Sequence, residues 1–214
     1  MTEPTRIIAI RHGQTDWNVQ QRLQGLTDIA LNAHGRAQAA LLAEALRHEG
    51  LTQVISSDLG RAAHTAHALC MPLGLPLQLD TALRERAFGQ MEGLSFRELD
   101  EQRPEWAARW RAREPDFEPP GGESLRTFHA RSVDAVLRHA SACSGQTIAV
   151  VSHGGVLDCL YRAATGLDLS APRSWQLGNA VINRLLFNGQ GLALIGWNDH
   201  QHLDDLDRAA PVVR

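Results

Sequence analysis

Hydrophobic positions along the chain follow two alternating periods. Arg6-Ile7-Ile8-Ala9-Ile10-Arg11 is a short continuous apolar run bounded by charge, the signature of a strand buried on both faces. From Asn32 to about Glu49, Ala37, Leu41, Leu42, Ala45 and Leu46 recur at helical spacing. Asn32 stands where an N-cap belongs, and Gly50 where a helix stops. Gln53-Val54-Ile55-Ser56 predicts a second short strand, followed by a helix over about 59–69. Pro72, Gly74 and Pro76 predict a turn region leading to Leu77-Gln78-Leu79. Thr147–Ser152 (TIAVVS) is the clearest buried strand, entering a Gly-Gly turn and a helix through about Thr165. Val181–Phe187 and Leu192–Trp197 flank Asn188-Gly189-Gln190-Gly191, which predicts a hairpin. Strands alternating with helices predict an α/β fold whose sheet is at least partly parallel.

One segment breaks this rhythm. Leu94–Arg113 reads as helical and charged, and Glu114–Gly122 (EPDFEPPGG) is rich in proline and glycine. A helical insertion of this kind is a common cover for the active site of a sheet enzyme; a solvated connector is the competing reading. The length of 214 residues predicts one domain over 1–214, with about 94–122 as its lid.

Composition narrows the chemistry. All 21 basic residues are arginine and none is lysine. That excludes a P-loop lysine, a Schiff-base lysine and the strand lysine of protein kinases. Arginine codons are GC-rich, so genomic base composition accounts for the bias, but any anion must then be held by forked guanidinium groups. Against 24 acidic residues the net charge is -3, which gives no field for nucleic acid or an anionic membrane. No apolar stretch reaches membrane-spanning length. The lead-in Met1–Arg6 lacks a signal-peptide layout, and Cys70, Cys143 and Cys159 are odd in number and far apart. Both features predict a cytoplasmic protein with reduced thiols.

Three polar clusters fall at or just after predicted strand ends, where open α/β sheets gather ligands. They are Arg11-His12-Gly13-Gln14-Thr15, Ser56-Ser57-Asp58-Leu59-Gly60-Arg61 and Ser152-His153-Gly154-Gly155. If those strands are neighbours, two histidines and two arginines converge. Arginine is the best bidentate partner for phosphoryl oxygens, and a neutral imidazole oriented through one nitrogen is a competent nucleophile through the other. Glycines beside both histidines let backbone N–H groups approach. A proton donor for the leaving oxygen is offered by Glu85 in Leu83–Gly89 (LRERAFG), with Glu92 as a nearby acidic competitor.

Other constellations carry less. His64 with His67, and His200 with His202 among Asp199, Asp204 and Asp205, lack the carboxylate or cysteine pattern of a zinc site and read as surface residues, so no metal is expected. Trp106 and Trp110, four apart, form either a buried stripe or a wall of the substrate entrance. Asp58 and Asp158 have no assignment from spacing.

Arg11-His12-Gly13-Gln14-Thr15-Asp16-Trp17-Asn18 resembles the RHG signature of the histidine phosphatase superfamily, also called phosphoglycerate mutase-like. The resemblance runs from Arg6 to about Leu203. It takes in Gln24-Gly25 before Asp28, the Ser56–Arg61 block, Glu85 running into Glu92-Gly93, Gly121-Gly122-Glu123-Ser124, and Ser152–Gly155. Five blocks in order and spacing make it specific where RHG alone would be weak. It implies a three-layer α/β/α sandwich with a mostly parallel sheet and a helical insertion over the active site. It implies that His12 becomes phosphohistidine, that Arg11 and Arg61 clamp the phosphoryl oxygens, that His153 stabilises their transition-state charge, and that Glu85 moves the proton. Asn18 matches a position contacting the phosphoryl pocket, Thr15, Gln24 and Gly25 match the substrate entrance, and Gly154 lies beside His153 in the last block.

Mutases and phosphatases of this superfamily share the phosphohistidine half-reaction. The resemblance implies a longer, more basic insertion in cofactor-dependent mutases than the one after Gly93, where Arg97, Arg103, Arg109, Arg111 and Arg113 are the cations. The expectation is therefore a metal-independent phosphatase of a small phosphorylated metabolite, needing no cofactor and acting as a monomer or homodimer. A phosphoglycerate mutase using 2,3-bisphosphoglycerate is the alternative, and an alpha-ribazole-phosphate phosphatase a specific case of the first reading. Phospho-ligand binding without turnover stands against the retention of all five catalytic-type residues.

Overall fold

The first strand is buried on both of its faces. In β1 (Thr5–Arg11), Ile7 and Ala9 enter one apolar core while Ile8 and Ile10 enter another. The same alternation separates Ile148 and Val150 from Ala149 and Val151 in β4 (Thr147–Ser152). Such a sheet must be covered on both sides, each buried Ile or Val contributing about 1.5–3 kcal/mol. This computed structural model describes residues 3–209, so Met1 and Thr2 of the lead-in lie outside it.

After β1 come a single turn, α1 (Asp16–Val19), and α2 (Ala33–Ala45), capped by Asn32 as expected. Next are β2 (Leu51–Ser56), α3 (Gly60–Leu73) and β3 (Leu77–Leu79), then the insertion helices α4 (Phe96–Gln102) and α5 (Pro104–Arg111). Then α6 (Leu125–Ala142) precedes β4, followed among the described residues by α7 (Gly154–Thr165), the hairpin β5 (Ile182–Phe187) and β6 (Leu192–Asp199), and α8 (Asp204–Ala209). The sheet order is β3-β2-β4-β1-β5-β6, parallel through the first four strands and antiparallel at the hairpin edge. Helices α2 and α3 pack on one face, and α6 and α7 on the other, giving the three layers.

Register sets the site. Arg11 lies opposite Ser152, and Ser56 opposite Val151, so three strands end level. The His12 N–H donates to the Ser152 carbonyl at 2.9 Å and the Ser57 N–H to the Val151 carbonyl at 3.0 Å. His12, Ser57 and His153 therefore emerge side by side.

Four details differ from the sequence reading. There is no Gly-Gly turn, because α7 begins at Gly154 directly after His153. Helix α3 runs through Pro72, which lies in the last turn and forfeits one helical bond before Gly74 adopts φ +63°. The insertion is two helices, since Pro104 opens a new helix at its first position. Finally, α6 had no predicted counterpart. The insertion has its own small core of Leu23, Met91, Leu99, Ala107 and Phe117, against which Trp106 and Trp110 pack.

Candidate active site

His12 is 2 % exposed at the end of β1, and its Nδ1 lies 2.7 Å from the Gly13 carbonyl. A carbonyl only accepts, so the proton sits on Nδ1 and Nε2 keeps its lone pair. Burial, then the charges of Arg11 and Arg61, hold the imidazole pKa well below 6.5, so it is neutral. The neighbouring backbone is fixed as well: Asn179 Nδ2 donates to the His12 carbonyl at 2.8 Å.

Two guanidinium groups flank it. Arg61, fully buried in the first turn of α3, donates to the carbonyls of Gly25 at 2.7 Å and Thr27 at 2.9 Å. Arg11 donates to the Leu177 carbonyl at 2.5 Å, and burial lowers its pKa to about 10. Even there it stays charged at neutral pH. In each arginine the Nε–H is buried without a partner.

His153 does not itself line the cavity; it packs beside His12, with ring centroids 5.2 Å apart. Its Nε2 lies 2.9 Å from Ser57 Oγ, which accepts from the Leu59 N–H and has no other acceptor for its own proton among the described residues, so the hydroxyl proton points to Nε2. The ring then carries its proton on Nδ1, which has no partner. Burial followed by the charge of Arg61 depresses its pKa well below 6.5.

The two glutamates separate cleanly. Glu85 lines the cavity, held by the N–H groups of Arg86 at 2.9 Å and Gly155 at 3.1 Å. Glu92 does not line it; its carboxylate accepts from Leu26 N, Thr27 N, Thr27 Oγ1 and Phe88 N. Glu123 and Arg131 position the Glu85 segment. Arg131 donates to the carbonyls of Ala82, Arg84 and Glu85, and Glu123 bridges Arg131 to the Ala87 N–H.

Arg11, His12, Arg61 and Glu85 border a cavity of about 980 Å³, with Asn18, Gln24, Gly25 and Gly154 also in its wall. Asn18 Oδ1 is occupied by Thr15 and Asn179, which leaves its Nδ2 for the cavity. Thr15 is the exception to the expected set. It is fully buried as the N-cap of α1, and reaches the cavity only by fixing Asn18. Gly25 adopts φ +56°, and a Cβ there would lie 2.1 Å from Glu92 Oε1. The insertion supplies Phe96, Trp110, Arg111 and Arg113, so it covers the site, and Trp110 is both core and wall.

The sequence reading missed the 172–179 segment, which contributes Arg173, Trp175, the Leu177 carbonyl and Asn179. Asp58 is taken up by Arg84 at 2.5 Å, whereas Asp158 lines the cavity. Among the described residues no His, Cys, Asp or Glu cluster is arranged to hold a metal ion, and no helix is long and apolar enough to cross a membrane.

Comparison with known proteins bears on the same region. The profile of the histidine phosphatase superfamily (branch 1) matches residues 7–200. Phosphoglycerate mutase-like protein 4 of Arabidopsis thaliana is 37 % identical over 203 residues, 93 % of this chain and 87 % of that protein. A mycobacterial glucosyl-3-phosphoglycerate phosphatase superposes with a TM-score of 0.81 at 34 % identity, covering 91 % of this chain and 99 % of that one. A putative alpha-ribazole-5'-P phosphatase of Escherichia coli gives 0.81 at 28 % identity, covering 91 % and 96 %.

Proposed function

Because the chain belongs to the histidine phosphatase superfamily, a family of phosphatases and mutases, we propose that it hydrolyses small phosphomonoesters through a phosphohistidine on His12. The observation that carries this is a set of three buried, unpartnered nitrogens, Arg11 Nε, Arg61 Nε and His153 Nδ1, gathered around a histidine whose Nε2 lone pair is free. Buried polar groups without partners are rare, and donors of this kind fit an incoming anion.

His12 Nε2 attacks phosphorus, and the bond from phosphorus to the ester oxygen breaks. Glu85, as the carboxylic acid, gives its proton to the departing alkoxide. The resulting carboxylate then takes a proton from water, whose oxygen attacks the phosphohistidine, releasing inorganic phosphate and neutral His12. Arg11 and Arg61 neutralise charge that builds on the non-bridging oxygens, and the neutral His153 offers them its Nδ1–H as a hydrogen-bond donor.

Water rather than a second alcohol as acceptor is supported by how the outer cations are spent. Arg22 pairs with Glu98, Arg111 with Asp100 and Arg113 with Asp158, while Arg86 donates to the carbonyls of Phe117 and Glu123. Of the arginines bordering the cavity outside the phosphoryl pocket, Arg173 alone is uncommitted among the described residues. A mutase must retain a bisphosphate, and one free guanidinium is a weak hold on its second phosphate. The neighbours' names support a small phosphorylated metabolite as substrate.

The test is phosphate release from p-nitrophenyl phosphate by wild type and His12→Ala, run beside 3-phosphoglycerate isomerisation with and without 2,3-bisphosphoglycerate. Hydrolysis that the variant loses is expected. Isomerisation that outpaces hydrolysis would overturn the assignment in favour of the mutase.

A further inference from the structure

We propose that Asp158 and Trp175 form a second polar subsite in the same cavity, one that takes a hydroxyl group on the alcohol half of the substrate. This rests on the hydrolase reading above and names its substrate class: a polyol or sugar phosphate.

Asp158 lies on α7, one turn beyond the Gly155 that holds Glu85, and is only 4 % exposed. Its two oxygens are treated unequally. Oδ2 accepts from Arg113 Nη2 at 2.5 Å and from Arg162 Nε at 3.0 Å, whereas Oδ1 is buried and accepts nothing. The carboxylate's charge is thus balanced by two arginines, while one oxygen keeps its hydrogen-bonding capacity. A fully structural aspartate would spend both oxygens.

Trp175 shows the complementary vacancy. Its ring stacks on Tyr161 at 4.0 Å, and the Arg162 guanidinium sits 4.8 Å from its centroid, so Arg162 joins it to Asp158. Its indole N–H is buried and donates to nothing. Both residues border the cavity that holds His12 and Glu85. An unpartnered acceptor and an unpartnered donor bordering one cavity fit a hydroxyl, which gives one hydrogen bond and receives another. An ammonium group would satisfy Asp158 and leave the indole unpartnered; a carboxylate would do the reverse and face Asp158 as a like charge. The flat faces of Trp17, Phe88, Phe96 and Trp110 in the wall suit the carbon side of a hydroxylated chain or ring.

The experiment compares kcat/KM for glycerol 3-phosphate and glucose 6-phosphate with that for propyl phosphate and phosphoethanolamine, in wild type, Asp158→Asn and Trp175→Phe. Asparagine must turn its oxygen toward Arg113 and Arg162, placing an N–H₂ where Oδ1 stood. The wild type is expected to favour at least one hydroxylated ester over propyl phosphate. Both variants should lower that preference by about tenfold or more, since sites built to hydrogen-bond a hydroxyl discriminate steeply. A preference that neither variant moves, or its absence in the wild type, overturns the subsite. Loss on phosphoethanolamine in Asp158→Asn alone overturns the hydroxyl in favour of an ammonium. If Asp158→Asn does not fold, Trp175→Phe decides, because its ring stacking is kept. Failure of the wild type to hydrolyse any ester, p-nitrophenyl phosphate included, overturns the hydrolase reading itself, a result distinct from hydrolysis without discrimination.

Discussion

The backbone N–H of Gly155 donates to Glu85 Oε2 at 3.1 Å, and a methyl group added at Gly155 would lie 2.2 Å from Oε1 of the same carboxylate. The first turn of α7 thus holds the proposed acid only because residue 155 has no side chain. Gly155→Ala should push the carboxylate out of line with the leaving oxygen. It would also press on Phe128, whose ring carbons lie 2.9 Å from the added atom. We expect kcat to fall by roughly 10²-fold, within the range for lost general acid help. Overpacking against Phe128 should cost about 1–3 kcal/mol, leaving the fold in place. Steady-state kinetics beside a urea melt separates the two; a stability loss with unchanged kcat would mean Glu85 is not the acid.

The charge state of the two histidines predicts how stability follows pH. Burial, with the nearby guanidinium charges, keeps His12 and His153 neutral in the fold at pH values where the unfolded chain takes up protons. Depressed histidine pKa values therefore leave stability whole above about 6.5 and erode it as pH falls toward the folded values. Each such histidine contributes a slope of up to about 1.4 kcal/mol per pH unit. His12→Asn, whose amide can still donate to the Gly13 carbonyl, should flatten the acid side by one proton's worth. Urea titrations at several pH values between 7.5 and 5 measure this. Equal slopes in the two proteins would show that His12 is charged when folded.

How far the sequence revealed these relations depends on where each one is encoded. β1 and β4 were legible because central parallel strands are apolar throughout, and the chemistry sits directly after them in Arg11-His12 and His153. Helix α6 is hard to see in the sequence because Arg126, His129, Arg131 and His139 break its apolar run. Yet Leu125, Phe128, Ser132, Val136 and Ala140 are a buried stripe at helical spacing, which the sequence does carry. The Leu177 carbonyl and Asn179 are a different case. A carbonyl has no residue type, and the 172–179 segment meets β1 through tertiary packing with no local pattern. Thr15 acts one step away from the cavity, through Asn18, a role that its residue type and position do not reveal.

Glu85→Gln tests the proton step independently. Arg86 N–H donates to Oε1 and Gly155 N–H to Oε2, so glutamine keeps an acceptor for one of them and has no acidic proton to give. Esters with poor leaving groups, such as alkyl phosphates, need that proton in the transition state, whereas p-nitrophenolate departs without it. The variant should slow alkyl phosphate hydrolysis by about 10²–10⁴-fold and p-nitrophenyl phosphate much less. A plot of log kcat/KM against leaving-group pKa should steepen. Parallel lines for wild type and variant would place the acid elsewhere.

Arg61→Lys asks whether charge or geometry holds the phosphoryl group in a chain that has no lysine of its own. Arg61 spends its two terminal nitrogens on the carbonyls of Gly25 and Thr27, keeps its Nε–H without a partner, and borders the cavity together with His12. One planar group therefore does two jobs, fixing the 25–27 loop and presenting a donor to the anion. A lysine retains the positive charge but offers a single nitrogen at the end of a flexible stem, and cannot bond both carbonyls while donating from the stem. Whichever position the ammonium takes, a buried carbonyl or the phosphoryl oxygens lose a partner, at about 1–3 kcal/mol. If the fork matters, kcat/KM falls by at least about tenfold and the melting temperature falls with it, the latter because the carbonyls lose their donor without any substrate present. Charge alone as the requirement predicts a near-wild-type rate. Full activity in the lysine variant would thus reduce the part of Arg61 in the clamp to its positive charge.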